Sequence, residues 1–172
     1  MTAAIAAPTG RTQTATALFL AAAMAAVVGT ALGFEHIGNY IPCKLCLEQR
    51  IPYYAGVPLM ALAFLSSKLG WPPLPTRLML LAGGLLMVWG LYLGIFHAGV
   101  EWGWWAGPTD CGAVAAPADT GGKGVLDAID RFVPPACDKA ALRVLGLSFA
   151  GWNVLSSLAL AAAAFRGALA RN

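Results

Sequence analysis

Charged residues are scarce in this chain. They make up 11% of its 172 residues, whereas 59% are hydrophobic; soluble domains are about 25% charged. Too few charges remain to solvate the surface of a soluble enzyme, and the abundance of apolar residues excludes intrinsic disorder. The sequence also lacks internal repeats, a phosphate-binding glycine loop and nucleic-acid-binding motifs. The composition therefore predicts a single integral membrane domain over residues 1–172.

Four long stretches contain no Asp, Glu, Lys or Arg, and they cover residues 12–34, 51–67, 78–100 and 144–165. About 20 apolar residues cross a hydrocarbon core roughly 30 Å thick, so the first, third and fourth stretches are long enough to span. The second is lengthened toward Cys46 by apolar neighbours. We therefore predict an all-α membrane protein, a bundle of four transmembrane helices. The predicted spans lie at about 14–34, 46–67, 78–98 and 144–165.

The first stretch has an alternative interpretation as a cleaved signal peptide, because Arg11 precedes an Ala-rich run. We favour a span for two reasons. The apolar run exceeds the usual length of about 7 to 15 residues in a signal peptide, and the exit of the run lacks a small-x-small cleavage pattern.

The distribution of charge predicts the orientation. With four spans, the two termini and the connection between the second and third spans share one side. The basic residues on that side are Arg11, Lys68, Arg77, Arg166 and Arg171, and no acidic residue accompanies them. All eight carboxylates fall on the other side, seven of them in outer loops at about 35–45 and 99–143, and Glu48 at the outer end of the second span. The positive-inside rule then places both termini in the cytoplasm and all four cysteines outside it.

Two features of the outer side indicate contact with the membrane interface. Leu126, Ile129 and Val133 recur at helical spacing among charged residues, which predicts a short amphipathic helix in the second outer loop. Aromatic residues such as Tyr53 and Trp102 cluster near the outer ends of the spans. We expect them to anchor the protein at the interface.

The four cysteines are Cys43, Cys46, Cys111 and Cys137. An oxidising compartment permits two structural disulfides. A Cys43–Cys46 bridge would stabilise the fold weakly, because the chain-entropy model gives so short a loop under about 2 kcal/mol. The C-x-x-C spacing suits redox exchange instead, since two sulfurs three positions apart fall on one helix face. The spacing does not predict a metal site, because a zinc site of four cysteines normally contains two such pairs.

The surroundings of the C-x-x-C pair favour a reactive thiol. Pro42 suits a helix start, where exposed N–H groups stabilise a nearby thiolate, and Lys44 adds a cation. Arg50 follows Cys46 at i+4 near the hydrocarbon boundary, where a charge needs a partner. We expect that partner to be Glu48, the Cys46 thiolate or a reduced ligand arriving from the lipid. The alternative is that Arg50 only extends its head group to the interface.

Residues 42–50, PCKLCLEQR, resemble the quinone-proximal motif of the disulfide bond formation protein B (DsbB) family. Residues 97–111, HAGVEWGWWAGPTDC, and residues 137–153, CDKAALRVLGLSFAGWN, resemble the second outer loop and the fourth helix of that family. The resemblance extends from about residue 16 to residue 165. Its specificity comes from the combination of four spans, C-x-x-C followed by Arg, and two spaced loop cysteines.

The resemblance implies an inner-membrane oxidoreductase that sustains protein disulfide formation. Such an enzyme reoxidises a periplasmic DsbA-like thioredoxin-fold protein and passes the electrons to a membrane quinone, here ubiquinone rather than menaquinone. In the implied relay, the partner attacks a Cys111–Cys137 disulfide, Cys137 exchanges with Cys43, and Cys46 reduces the quinone. The implied quinone-binding residues are Cys46, Arg50 and His97.

Two other functions fit part of the pattern. Quinone or epoxide reductases like the vitamin K epoxide reductases use a similar four-helix scaffold. In that family the C-x-x-C pair near the quinone follows the loop pair, whereas here Cys43 and Cys46 come first. A non-enzymatic membrane subunit with structural disulfides is the third possibility, and it predicts bridges that survive mild reductant.

Overall fold

The computed structural model describes residues 10–109, 111 and 136–170. That part of the chain forms helices and one short hairpin. The elements are α1 (Arg11–His36), α2 (Lys44–Glu48), α3 (Ile51–Lys68), α4 (Pro73–Glu101), β1 (Arg143–Val144), β2 (Leu147–Ser148) and α5 (Phe149–Leu169). The predicted helical membrane architecture is confirmed in this respect. The amphipathic helix expected at Leu126, Ile129 and Val133 lies outside the described residues.

Three helices in the described part of the chain are long and apolar enough to cross a membrane, namely α1, α4 and α5. They correspond to the first, third and fourth predicted spans. α3 has 18 residues, a length of about 27 Å at 1.5 Å per residue. It also contains Pro52, Pro58 and Lys68, and it is not among these three helices. By length and composition, α1, α4 and α5 are therefore candidate spans, and the four-span prediction is supported for three of its four helices.

The second predicted span, 46–67, is divided between α2 and α3. Pro52 has no N–H with which to bond the Glu48 carbonyl, so the helical hydrogen bonding is interrupted there. The N–H of Tyr53 bonds instead to the Arg50 carbonyl, at 3.0 Å. Arg50 therefore lies in the turn between the two helices. The i+4 spacing predicted that Arg50 continues the helix of Cys46, but that helix ends at Glu48.

The four long helices form a closed bundle, in which α1 and α4 each pack against both α3 and α5. Glycines let large side chains of neighbouring helices come close. A Cβ atom added to Gly84 would lie 2.8 Å from the Phe165 ring, and one added to Gly83 would lie 2.6 Å from the Met60 methyl carbon. The interior of the bundle is thus filled by methionine, leucine and alanine side chains packed against small residues.

A two-stranded antiparallel hairpin precedes α5. Its turn residues, Leu145 and Gly146, have φ angles of 52° and 86°. Two consecutive positive φ values are typical of a tight type I′ turn. Ser148 then caps α5, because its hydroxyl accepts the Gly151 N–H at 3.2 Å. The helix therefore begins at Phe149, several residues after the predicted start of the fourth span.

All four cysteines lie at one end of the bundle, which we call the cysteine end. The C-terminal ends of α1 and α4, the N-terminal ends of α3 and α5, and the short helix α2 form it. The opposite end, called the distal end, contains Thr14, Ser67, Thr76 and Gly167. The fold therefore collects residues from every helix around the sulfur atoms.

Candidate functional site

The loop cysteines are joined. Cys111 and Cys137 form a disulfide with a Cα–Cα distance of 6.0 Å, within the usual range for such bonds. Both residues are buried. This is the pairing that the sequence resemblance implies.

The C-x-x-C cysteines are not joined to each other in this structure. Cys43 is the N-cap of α2, and its sulfur accepts the N–H of Cys46 at 3.2 Å. The helix start predicted after Pro42 is therefore confirmed. Cys43 is buried, whereas Cys46 is partly exposed. The two sulfurs of the motif thus differ in their surroundings although they are three residues apart.

Cys43 lies beside the loop disulfide. The sulfur atoms of Cys43, Cys111 and Cys137 all lie within 4.8 Å of one another. The Lys44 N–H also bonds to the Cys111 carbonyl, at 3.4 Å, and so ties the loop to the start of α2. A thiolate can displace one sulfur of a neighbouring disulfide when it can reach it. Cys43 is therefore placed for thiol–disulfide exchange between the two pairs.

The two C-x-x-C thiols differ in acidity. The pKa of Cys46 is lowered, first by a hydrogen bond from the Cys43 thiol and further by a main-chain hydrogen bond and the positive charge of Arg50, although burial opposes the shift. The same Cys43–Cys46 hydrogen bond, together with burial, raises the pKa of Cys43. Cys46 is therefore the more acidic thiol of the reduced pair and forms a thiolate more readily than Cys43. A thiolate is the nucleophilic form of cysteine.

Arg50 has a partner that the sequence analysis did not name. Its guanidinium donates to the Glu35 carboxylate at the end of α1, and the Arg50 side chain is 11% exposed. The expected partners were Glu48, the Cys46 thiolate or a ligand. Glu35 is the first carboxylate after the first span. Its position in the sequence could have suggested Glu35 as a partner of Arg50, but only the packing of α1 against α3 brings the two side chains together.

A cavity of about 370 Å³ opens at the cysteine end. Its apolar walls include Val27, Ala31, Phe34, Ile41, Val144 and Phe149. Polar atoms also reach it from Cys46, Arg50, His97 and Asn153. Small-molecule sites usually have about 300 to 1,000 Å³ and combine apolar walls with a few polar groups. The cavity therefore suits a mostly apolar organic ligand held beside Cys46, and it contains all three residues predicted to bind one.

A hydrogen-bonded network lies under this cavity, and the sequence analysis missed it. Gln49 Nε2 donates to His97 Nδ1 at 2.7 Å, and Asn153 Nδ2 donates to Gln49 Oε1 at 2.7 Å. The Tyr53 hydroxyl donates to Asn153 Oδ1, also at 2.7 Å. Tyr53 was predicted as an interfacial anchor, which is wrong, because its side chain is 2% exposed and bonds inside the bundle. The sequence feature that could have indicated this network is Asn153, a polar residue within an apolar stretch.

Two groups of donor atoms are close enough to hold a metal ion among the described residues. One consists of Cys43, Cys46 and His97, and the other of Cys43, Cys111 and Cys137. The second contains the disulfide, whose sulfurs cannot supply thiolates. The first resembles a ligand set for a thiophilic cation such as Zn²⁺. Cysteine spacing had not predicted it, because His97 joins the group only through the fold.

The model of one protein family, described as Disulfide bond formation protein DsbB, matches residues 13–166. The chain belongs to the DsbB family. The match covers nearly the whole chain and includes all four cysteines, so the resemblance seen in the sequence is confirmed. Comparisons with curated proteins and with solved structures gave no match.

Family membership and the apolar helices together make this member of the DsbB family a multi-pass inner-membrane protein of disulfide bond formation. Proteins of the DsbB family are oxidoreductases that pass electrons to quinones. The disulfide and the adjacent C-x-x-C pair supply the sulfur atoms that such chemistry requires.

Proposed function

We propose that the protein reoxidises a periplasmic DsbA-like thioredoxin-fold protein and transfers the electrons to a membrane quinone. One observation carries the proposal: the two sulfurs of the C-x-x-C pair face different neighbours. Cys43 lies within 4.8 Å of the loop disulfide, whereas Cys46 lines the cavity. The pair therefore bridges a protein substrate on one side and a lipid-soluble acceptor on the other.

The proposed reaction balances as two thiols plus quinone giving one disulfide plus quinol. A partner thiolate attacks Cys111 and breaks the Cys111–Cys137 bond, so the electron pair leaves on Cys137. Cys137 then attacks Cys43 of the oxidised C-x-x-C pair and releases Cys46 as a thiolate. The lowered pKa of Cys46 favours it as the leaving group, because sulfurs of lower pKa leave faster. The second thiol of the partner then displaces Cys111, and Cys111 attacks Cys137, which restores the loop disulfide and releases Cys43. A quinone held beside Cys46 and Arg50 would accept the electron pair of the reduced C-x-x-C pair.

Arg50 and His97 have distinct proposed roles beside Cys46. Arg50 places a cation at the cavity, where it stabilises both the Cys46 thiolate and negative charge on a ligand oxygen. Its ion pair with Glu35 keeps the guanidinium at the cavity edge and compensates its charge. His97 completes the polar wall. Ubiquinone is the quinone that we expect to bind.

We also propose that α3 is a fourth span and that the cysteine end faces the periplasm. α3 packs against both α1 and α4 in a closed bundle, and its Tyr53 and Ser66 side chains are buried there. The basic residues on the cytoplasmic side by the positive-inside rule include Lys68, Arg77 and Arg166, and all three lie in helix segments at or near the distal end. Both termini would then be cytoplasmic. A reporter fused after α5 tests this orientation, and activity of a periplasm-specific reporter there would contradict it.

Anaerobic turnover tests the reaction. Purified protein in lipid nanodiscs is mixed with a reduced DsbA-like protein and ubiquinone, and quinol formation is followed together with thiol loss. We expect one quinol for each pair of thiols oxidised. Stable loop and C-x-x-C disulfides, with no quinol formed, would instead favour a structural role for the cysteines.

Covalent trapping tests the partner. In Cys137→Ser the resolving thiol is gone, so a partner that attacks Cys111 should remain linked to it. Removal of the second cysteine from the partner prolongs the mixed disulfide. Peptide mapping should locate the bond at Cys111. A bond at Cys43, or no bond with any periplasmic dithiol protein, would contradict the proposed entry point.

A further inference from the structure

His97 lies where the two cysteine pairs meet, and its Nε2 faces groups that accept protons. This atom is 3.8 Å from the Cys43 sulfur and 3.8 Å from the Glu101 carboxylate. His97 is 3% exposed, and the Cys46 sulfur lies within 4.8 Å of it as well. A neutral imidazole carries one N–H, and on this side of the ring that N–H has acceptors available.

The other ring nitrogen faces a donor. Nδ1 of His97 lies 2.7 Å from the side-chain nitrogen of Gln49. That same nitrogen donates to the Leu45 carbonyl at 3.1 Å, which fixes the orientation of the amide. A reversed amide would place its oxygen against the carbonyl oxygen of Leu45 and lose that bond. Nδ1 must therefore be the acceptor, and the proton of the neutral ring belongs on Nε2.

Asn153 holds Gln49 in this orientation from a third helix. Its amide nitrogen donates to Gln49 Oε1 at 2.7 Å and to the Gly90 carbonyl at 3.2 Å. Its oxygen accepts the Tyr53 hydroxyl. Each amide therefore has one main-chain carbonyl that determines which way it points. The bonds run in one direction, from Asn153 through Gln49 to His97.

We propose that Asn153 and Gln49 are positioning residues that fix the His97 proton on Nε2, and that this N–H stabilises Cys43 when its sulfur leaves as a thiolate. This inference rests on the proposed function and assigns one of its steps. In that step Cys111 attacks Cys137 of a Cys43–Cys137 disulfide. The Cys111–Cys137 bond forms, the Cys43–Cys137 bond breaks, and the electron pair remains on Cys43. The exchange needs no oxidant, because one disulfide replaces another.

This assignment separates His97 from two other roles. A metal ion at Cys43, Cys46 and His97 would need a bare Nε2, and metal-bound histidines usually donate their other N–H to an acceptor. Here the group opposite Nδ1 is a donor. A role in ligand binding concerns the cavity that His97 lines, whereas the assignment here concerns the Cys43 sulfur, 3.8 Å from Nε2.

The position of the proton is measurable without partner or quinone. Nuclear magnetic resonance of the full-length protein, labelled with ¹⁵N in its histidine rings, gives one set of signals for each of the two histidines. In His36→Gln only the signals of His97 remain, which identifies them. We expect the Nε2–H form in the wild-type protein. In Asn153→Asp, a carboxylate facing Gln49 should reverse that amide and move the proton to Nδ1. Asn39→Asp makes the same chemical change at an exposed residue and should alter nothing. The Nδ1–H form in the wild-type protein, or an unaltered proton in Asn153→Asp, would overturn the proposal.

Gln49→Glu provides a second variant should Asn153→Asp fail to assemble. Its carboxylate only accepts hydrogen bonds, so Nδ1 must then carry a proton. A spectrum in which Nδ1 remains bare would contradict the assignment of Gln49 as the donor.

The stabilisation of the Cys43 thiolate is measured in Cys46→Ser. In that variant two of the three remaining cysteines, Cys43, Cys111 and Cys137, form one disulfide and the third is a free thiol. After acid quenching and alkylation, mapping gives the ratio of free Cys43 to free Cys111 at alkaline pH. Adding Asn153→Asp should lower that ratio about tenfold, since hydrogen bonds to charged groups have this magnitude. Adding Asn39→Asp should not change it. An unchanged ratio with an altered proton position would show that His97 does not act on Cys43. If the wild-type protein showed no turnover, the proposed function would be refuted. The proton position and the cysteine ratio could still be measured, because neither experiment requires turnover.

Discussion

The two ends of the bundle use polar side chains differently. At the distal end they bond in separate pairs between helices, such as Thr14 with Ser67 and Ser66 with Thr76. At the cysteine end, Gln49 and Asn153 belong to one connected set that reaches α3, α4 and α5 and ends beside sulfur. Pairs of this kind hold two helices together. A connected set also fixes the direction of each hydrogen bond, which matters where protons and thiolates are handled.

The packing differs in the same way. In the middle and distal parts of the bundle, glycines receive large side chains, as Gly84 receives Phe165 and Gly167 receives Thr16. At the cysteine end the packing leaves a cavity of about 370 Å³. Stability therefore depends mainly on the closely packed part and chemistry on the open part. Variants at the two ends should separate these properties.

Cys46→Ser should have the largest effect. The serine hydroxyl does not replace a thiolate as electron donor, so quinol formation should fall to the uncatalysed background while the helix content stays unchanged. Quinol is measured by absorbance under anaerobic conditions. Ser67→Ala at the distal end is the comparison variant and should retain turnover. Wild-type turnover in Cys46→Ser would remove this sulfur from the mechanism.

Arg50→Ala should weaken the quinone site while the bundle still assembles. The lost cation stabilises a thiolate and a ligand oxygen, so we expect the apparent KM for quinone to rise about tenfold. Arg166→Ala removes an exposed arginine from the other end of α5 and should leave KM unchanged. An equal KM in Arg50→Ala and the wild type would indicate that Arg50 only extends toward the membrane interface.

The reduced C-x-x-C pair should show two different pH profiles. Because the pKa of Cys46 is lowered, its alkylation should persist at pH values below those of an ordinary thiol, whereas Cys43 should react only at higher pH. Any stability contributed by the Cys46 thiolate is fully present above the pKa of this thiol in the unfolded chain and is lost as pH falls through its folded pKa. Mass mapping after pulse alkylation measures both sites. Arg50→Ala should move the Cys46 midpoint upward; coincident profiles would refute the division of roles.

Gly84→Leu should affect stability and not chemistry. Even the first side-chain atom would lie 2.8 Å from the Phe165 ring, and such overpacking usually costs about 1 to 3 kcal/mol. Gly29→Leu is the matched control, because no atom lies within 4 Å of a Cβ atom at that position. Unfolding in mixed micelles measures the difference. Turnover per folded molecule should stay at the wild-type level, and a selective loss of turnover would show that the two ends are coupled.

Tyr53→Phe should have the smallest effect. It removes a hydroxyl that bonds Asn153 and Ser157, which corresponds to a loss of about 1 kcal/mol in stability. Tyr92→Phe, at a side chain that is 64% exposed, should be neutral. Thermal unfolding in detergent compares the two variants. Equal stability of both would mean that the Tyr53 bonds are replaced without cost.

Hydropathy alone predicts α1, α4 and α5, because long apolar runs have one stable form in a bilayer. The break near Arg50 was accessible from Pro52, whose missing N–H interrupts the helix. Two features were not accessible. Glu35 meets Arg50, and Asn153 meets Gln49, only after helices far apart in the sequence have packed. Chemical type alone was enough to predict reactive cysteines, whereas the partners of the other polar groups depend on three-dimensional proximity.

The central claim is that Cys43, and not Cys46, connects the C-x-x-C pair to the loop pair. Two double variants test it directly. Cys46→Ser/Cys111→Ser leaves Cys43 with Cys137, and Cys43→Ser/Cys111→Ser leaves Cys46 with Cys137. Both variants are mildly oxidised and their peptides are mapped. We expect a disulfide in the first variant and two free thiols in the second. A disulfide between Cys46 and Cys137, with Cys43 remaining free in the first variant, would contradict it.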